Sequence, residues 1–320
     1  MGFSVRGLTL TLTYLFCAVA AASLLAWLLH GVTAFPYEKV LSRSVLLFCA
    51  LGLVPLWRLG GLSAQGIGLL PADWRVLRPA FFTGALLILP LMLFFVVVGY
   101  RVADDRVVVL AGSFLLLGLG ILLSALLVGV FEELLFRGVL FSALRRSASS
   151  TVAAVSVGVI YAAVHFLGAE SAMPEPQELH WYTGFIMVGA ALSGFSDPAA
   201  FWDSFVALAL LGAMLCFVRE RLGLWWCIGL HWAWVFAIRI FKELTVRDVV
   251  NPYAATAGSY DQFVGHAATV WLLFILVVIV LFLRHRQALH CESTASPTPR
   301  SAQRLERGVP KPVHSPPDSG

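Results

Sequence analysis

Phe131-Glu132-Glu133-Leu134-Leu135-Phe136-Arg137 is the stretch on which the reading of this chain turns. Its first residue closes a run of 25 residues, Val107–Phe131, that carries no charge. Two carboxylates and a guanidinium then arrive while the apolar pattern continues. A charge at the centre of a membrane helix costs about 2.5–3.5 kcal/mol on insertion scales, and such residues mark functional sites by default. Helix geometry separates the three groups. Glu133 and Arg137 stand four residues apart with the acid on the N-terminal side, the favoured order for an ion pair. Glu132 points about 100° away. One carboxylate is therefore expected to be neutralised and the other left free. A free carboxylate in an apolar setting beside a cation suits general-base work on a water. The plain structural alternative is a buried ion pair that only fixes helix packing.

Composition bounds the class. Hydrophobic residues make up 59% of the 320 residues and charged ones 12%, which excludes a soluble globular domain. The fold expected is all-α: a polytopic membrane protein of about eight transmembrane helices with a buried polar site. The net charge is +4, and six of the 22 Lys and Arg lie from Arg284 onward, so there is no nucleic-acid footprint. Cys17, Cys49, Cys216, Cys227 and Cys291 show no metal or redox spacing.

Outward from the motif, the spans expected are Leu8–Leu29, Ser44–Trp57, Pro79–Tyr100, Val107 to about Arg145, Thr151–Leu167, Ser204–Val218, Leu222–Ile238 and His266–Leu283. The first could instead be a cleaved signal. The motif span has 39 residues, ~58 Å if unbroken, which exceeds a ~30 Å core and calls for a kink or a protruding end. Gly60–Arg78 reads as a polar linker, and Arg101–Arg106 as a tight charged turn. Gly168–His180 is acidic, with Glu170, Glu175 and Glu178. Trp181–Ser196 is short and Gly-rich and is expected not to cross. Three regions result: 1–78, a two-helix membrane segment with its linker; 79–286, the core; and 287–320, a Pro- and Ser-rich tail expected to be disordered. With the N-terminus inside, Arg6, Arg58, Arg75, Arg78, Arg145, Arg146, Arg219, Arg221, Arg284 and Arg286 all fall on the cytoplasmic side. Short loops and compact size point to a bacterial inner membrane.

This topology puts three polar groups at similar depth. Glu132 lies 13 residues before Arg145 and His165 lies 14 after Thr151, so both are ~20 Å from one cytoplasmic turn. His231 comes ten residues after Arg221, at ~15 Å. A lone histidine in an apolar helix is more often a hydrogen-bonded packing residue. A carboxylate at matching depth favours a site for these two.

The residues resemble the CPBP intramembrane proteases, which include the type II CAAX prenyl endopeptidases. Glu132-Glu133-x-x-x-Arg137 matches the EExxxR signature. Tyr161-Ala162-Ala163-Val164-His165 is similar to FxxxH, with Tyr for Phe. His231-Trp232-Ala233-Trp234-Val235 is similar to the later motif, with Val235 where the family has Asn or Asp. The resemblance spans about residues 80–240. It implies a glutamate-dependent endopeptidase with an eight-helix core, no metal and no other cofactor. Glu132 and His165 would activate a water, His231 would help stabilise the oxyanion, and Glu133, Arg137 and Tyr161 would support the site. Partners would be the bilayer and a membrane protein or lipidated peptide as substrate. Since Val235 offers no donor, Trp234, on nearly the same helix face as His231, is a candidate donor to the oxyanion or the water; Trp232 points elsewhere and is expected to pack on lipid or a neighbouring helix. Three other readings stand beside this one. Glu132, His165 and His231 could ligate zinc. The chain could be a non-catalytic membrane scaffold or immunity protein. Its buried charges could serve a transporter as a proton relay.

Overall fold

The computed structural model describes residues 5–33, 35–59, 61–104, 111–166, 179–193, 195, 197, 201–258 and 260–295. The acidic segment with Glu170, Glu175 and Glu178, the end of the charged turn at Asp105 and Arg106, and 296–320 of the tail lie outside them. The chain divides into two compact units, 1–273 and 274–320, and the site described below lies wholly in the first.

The protein is predominantly helical. In order come α1 (Val5–Leu29), α2 (Tyr37–Leu59), α3 (Leu77–Val97), β1 (Arg101–Ala103) and α4 (Ala111–Glu133). A π-helical segment, Leu134–Leu140, leads into the short α5 (Phe141–Leu144). Then follow α6 (Ser150–His165), α7 (Thr183–Ser193), α8 (Trp202–Leu222), α9 (Leu224–Leu244), β2 (Thr245–Arg247) and α10 (His266–Ala295). By length and composition, three stretches among the described residues can cross a membrane: Trp74–Val97, Phe114–Leu144 and Leu224–Leu244. Thr13–Leu29, Ser150–His165 and His266–Phe282 are shorter apolar helices. This is an integral membrane protein.

Several expectations are corrected. Arg101–Ala103 is not a turn but a strand, paired antiparallel to Thr245–Arg247 with Val102 opposite Val246. The ribbon ties the end of α3 to the end of α9 and is an exception to an all-α fold. The second helix begins at Tyr37, seven residues before Ser44, and α9 continues past Ile238 to Leu244. α10 runs to Ala295, so 287–295 is helical rather than disordered; Ala288, Leu289 and Glu292 are good helix formers. The segment 60–78 is more than a linker. Ile67 is fully buried against Leu62 and Val139, and Trp74–Val76 forms a 3₁₀ turn into α3.

α7 has 11 residues, about 16 Å at helical rise, too short to cross. It packs on α1, where Ser23 Oγ accepts from the Gly184 amide at 2.9 Å.

Two interfaces place the functional helices. Antiparallel α6 and α8 cross where Gly158 faces Gly212. A Cβ on Gly212 would lie 2.7 Å from Gly158 Cα, and one on Gly158 would overlap the Ala209 carbonyl. Backbone contact of this kind is how small residues hold membrane helices together without a hydrophobic drive. α9 lies between α3 and α4, and its tryptophans reach both. Trp232 Nε1 donates to Leu122 O and Trp234 Nε1 to Gly84 O, each at 2.9 Å.

Candidate active site

The motif sits where the helix type changes. α4 ends at Glu133 and the next seven residues are π-helical, closed by Phe141 N–H donating to Phe136 O, five residues back. The irregularity expected in the over-long span is this π segment. Such turns admit one extra residue, re-aim the side chains that follow and occur frequently at functional sites.

Glu133 and Arg137 are completely buried and paired as expected, with Arg137 Nη1 donating to Glu133 Oε1 at 2.9 Å. Arg137 also reaches Gly212 O at 3.4 Å, and its guanidinium lies 4.5 Å from the Tyr161 ring centroid. Glu133 has a second partner that sequence spacing did not reveal. His231 Nδ1 lies 2.7 Å from the same Oε1. An ionised carboxylate only accepts, so Nδ1 carries the proton.

His165 is fixed in the same tautomer by a different group. Its Nδ1 lies 2.8 Å from the Tyr161 carbonyl, which can only accept, so Nδ1 donates there too. His165 is the last residue of α6.

Both histidines therefore turn Nε2 inward, and between them stands Glu132. Its Oε2 is 3.8 Å from His165 Nε2 and 3.8 Å from His231 Nε2. That atom is buried and has no hydrogen-bond partner. The side chains of Glu132 and His165 are each 18% exposed, whereas Glu133 and Arg137 are sealed. In the neutral state the two Nε2 atoms are bare lone pairs, so three acceptors converge with gaps too long for direct bonding. A donor belongs between them, and a water has two protons to give. Polar separations beyond 3.5 Å of this kind suit a bridging water.

Tyr161 completes the cluster. It is 2% exposed, packs edge-on to Phe136 at 5.1 Å, and lies 4.3 Å from the His165 ring.

The role expected of Trp234 is overturned. Its indole N–H is committed to Gly84 O, leaving it no proton for an oxyanion or a water. Trp232 packs on neighbouring helices, with its ring 4.5 Å from that of Phe81. Among the described residues no group of three His, Cys, Asp or Glu is arranged to hold a metal ion. Zinc ligands at about 2.0–2.2 Å in a tetrahedron stand roughly 3.4 Å apart, closer than the 3.8 Å found here.

Residues 113–237 match the family model of the Rce1-like type II CAAX prenyl endopeptidases. The chain carries an Rce1-like segment. It runs from α4 to α9 and contains Glu132, Glu133, Arg137, Tyr161, His165 and His231. This agrees with the resemblance read from the EExxxR motif, and the family matched is one of membrane proteases. No curated protein and no solved structure matches the chain.

Proposed function

We propose that this protein is an intramembrane endopeptidase that cleaves a membrane-associated protein or lipidated peptide with a water activated by Glu132 and His165. The observation that carries this reading is the unpartnered Glu132 Oε2 midway between two Nε2 lone pairs whose tautomers are fixed from behind. Glu132 takes a proton from the water, the hydroxide adds to the scissile carbonyl, and the same proton passes to the leaving amine nitrogen. Arg137 balances the charge of Glu133, and Glu133 holds the His231 ring. His231 stabilises the oxyanion through Nε2 as an imidazolium, having taken a second proton on Nε2 from the medium while Nδ1–H stays on Glu133. Eight helices span, both termini are cytoplasmic, and a bacterial inner membrane is the setting.

One observation favours a second reading, a non-catalytic scaffold. Val235 has no donor and the Trp234 donor is spent on Gly84, so the site lacks an amide-type oxyanion donor on α9. A metal-dependent reading of Glu132, His165 and His231 makes a third outcome. One experiment separates them: cleavage of an internally quenched prenylated CAAX peptide by the purified protein, with and without 1,10-phenanthroline. Cleavage that survives the chelator and is lost in His165→Ala is expected. Cleavage abolished by the chelator favours zinc. A protein that leaves both this peptide and the C-termini of its own membrane proteome uncut favours the scaffold.

A further inference from the structure

The chain that follows α9 lies beyond residues 113–237, the part that the family model matches, yet it returns to the site. Tyr260 sets its ring edge-on to His165, with centroids 6.0 Å apart and planes at 75°, and against Phe166 at 5.1 Å. The ring stays 43% exposed, so it is not there to fill a core. Its backbone is pinned on both sides. The Tyr260 amide donates to Oγ of the fully buried Ser204 in α8 at 3.1 Å. The next residue, Asp261, accepts from Lys242 Nζ of α9 at 2.9 Å through Oδ2. Its Oδ1 accepts from the amides of Phe263 and Val264 at 3.0 and 2.8 Å. Phe263 in turn is buried against Phe95 and Phe241. These anchors on α8 and α9 hold the Tyr260 ring in one place.

His165 is a residue that such a contact can steady. Its imidazole is held by one hydrogen bond, from Nδ1 to the Tyr161 carbonyl in its own helix. The terminal torsion of a histidine is broad, and Glu132 at 3.8 Å is too far to bond the ring directly. Two tyrosine rings lie against it, Tyr161 from α6 and Tyr260 from beyond α9. Edge-on pairs at these separations are favourable. Resting on the function proposed above, we infer that Tyr260 is a positioning residue: its ring, anchored by Ser204 and by the Lys242–Asp261 pair, keeps the His165 imidazole on the Tyr161 carbonyl and so keeps Nε2 turned toward Glu132.

The test compares Tyr260→Ala, which removes the ring, with Tyr260→Phe, which keeps it. Lys242→Met keeps the ring and frees the segment that carries it. The readouts are ¹⁵N NMR of the purified protein in micelles and kinetics on the quenched prenylated peptide. The His165 nitrogens are the signals that His165→Gln removes. Their positions report which nitrogen carries the proton, and the two tautomers are distinct. In the wild type the Nδ1–H form is expected. In Tyr260→Ala the signals are expected to move toward the average of the two tautomers, and kcat to fall about 3- to 10-fold with KM unchanged, the worth of one ring–ring contact. Tyr260→Phe is expected to keep the wild-type tautomer and kcat, a rescue that loose packing elsewhere would not give. Lys242→Met is expected to shift the same signals in the same direction, and to add no further loss of kcat when combined with Tyr260→Ala. Unmoved nitrogen signals in Tyr260→Ala overturn the inference. So does Tyr260→Phe behaving as Tyr260→Ala, or a rise in KM with kcat held, which would make the ring a substrate contact. Unmoved signals in Lys242→Met overturn it as well, so the test stays decisive if Tyr260→Ala does not fold. If the wild type leaves the peptide uncut, the proposed function fails instead, while the nitrogen signals still decide whether Tyr260 holds the imidazole.

Discussion

Replacing Arg137 by leucine tests the division of labour between the two glutamates. Arg137 and Glu133 are both fully buried and joined at 2.9 Å, so Arg137→Leu strands a carboxylate with only the His231 Nδ1–H, at 2.7 Å, to offset it. Breaking a buried pair by removing one partner costs about 3–5 kcal/mol. The lost cation–π contact with Tyr161, 4.5 Å from the guanidinium to the ring centroid, adds about 0.5–2 kcal/mol. The double variant Glu133→Leu/Arg137→Leu removes both charges. Its main remaining polar debt is the buried His231 N–H, about 1–3 kcal/mol for an unsatisfied donor. Stability should therefore run wild type, double variant, single variant. The assay is unfolding by SDS titration in mixed micelles, with steady-state membrane abundance as the cellular readout. If the single variant unfolds with the wild type, or the double variant is less stable than the single, the buried-pair account is wrong.

Trp234→Phe should leave cleavage unchanged and cost about 0.5–1.5 kcal/mol of stability in the same titration, because its N–H serves Gly84 O and not the reaction. Val235→Asn, by contrast, adds a donor near His231, and quenched-peptide kinetics should show a gain; one oxyanion donor is typically worth about 10²–10³ in rate. Cysteine labelling of intact cells tests the topology: Trp181→Cys should react from outside and Ser301→Cys only after permeabilisation, and labelling of 301 from outside would contradict eight spans.

The parts of the site that depend on spacing along one helix or on counting from a turn were legible in the sequence. The Glu133–Arg137 pair follows from a separation of four. The meeting of Glu132, His165 and His231 follows from distances to two basic turns on one side of the membrane, and the structure brings Glu132 Oε2 to 3.8 Å from each histidine. What escaped depends on partners far along the chain. The Trp234 donor is taken by a carbonyl 150 positions away, and His231 reaches Glu133 across 98. No helical-face argument contains those contacts, because they require the approach of α9 to α3 and α4. Burial of Ile67 was hidden by its polar, Gly-rich surroundings, which read as linker. The helix through 287–295 was hidden by its position beside a Pro- and Ser-rich tail, although its own residues have good helical propensity. The over-long motif span announced an irregularity, but not that it would be π-helical and start directly after Glu133.

The most direct test of the account is Glu132→Gln, which keeps the shape of the side chain and removes the base. Purified wild type and variant, reconstituted in vesicles, would be compared on the quenched prenylated peptide, with SDS unfolding as the control for folding. Removal of a general base costs about 10²–10⁴ in rate, so the account predicts cleavage by the wild type, near-complete loss in the variant, and matching unfolding curves. Equal cleavage by the two proteins would contradict it.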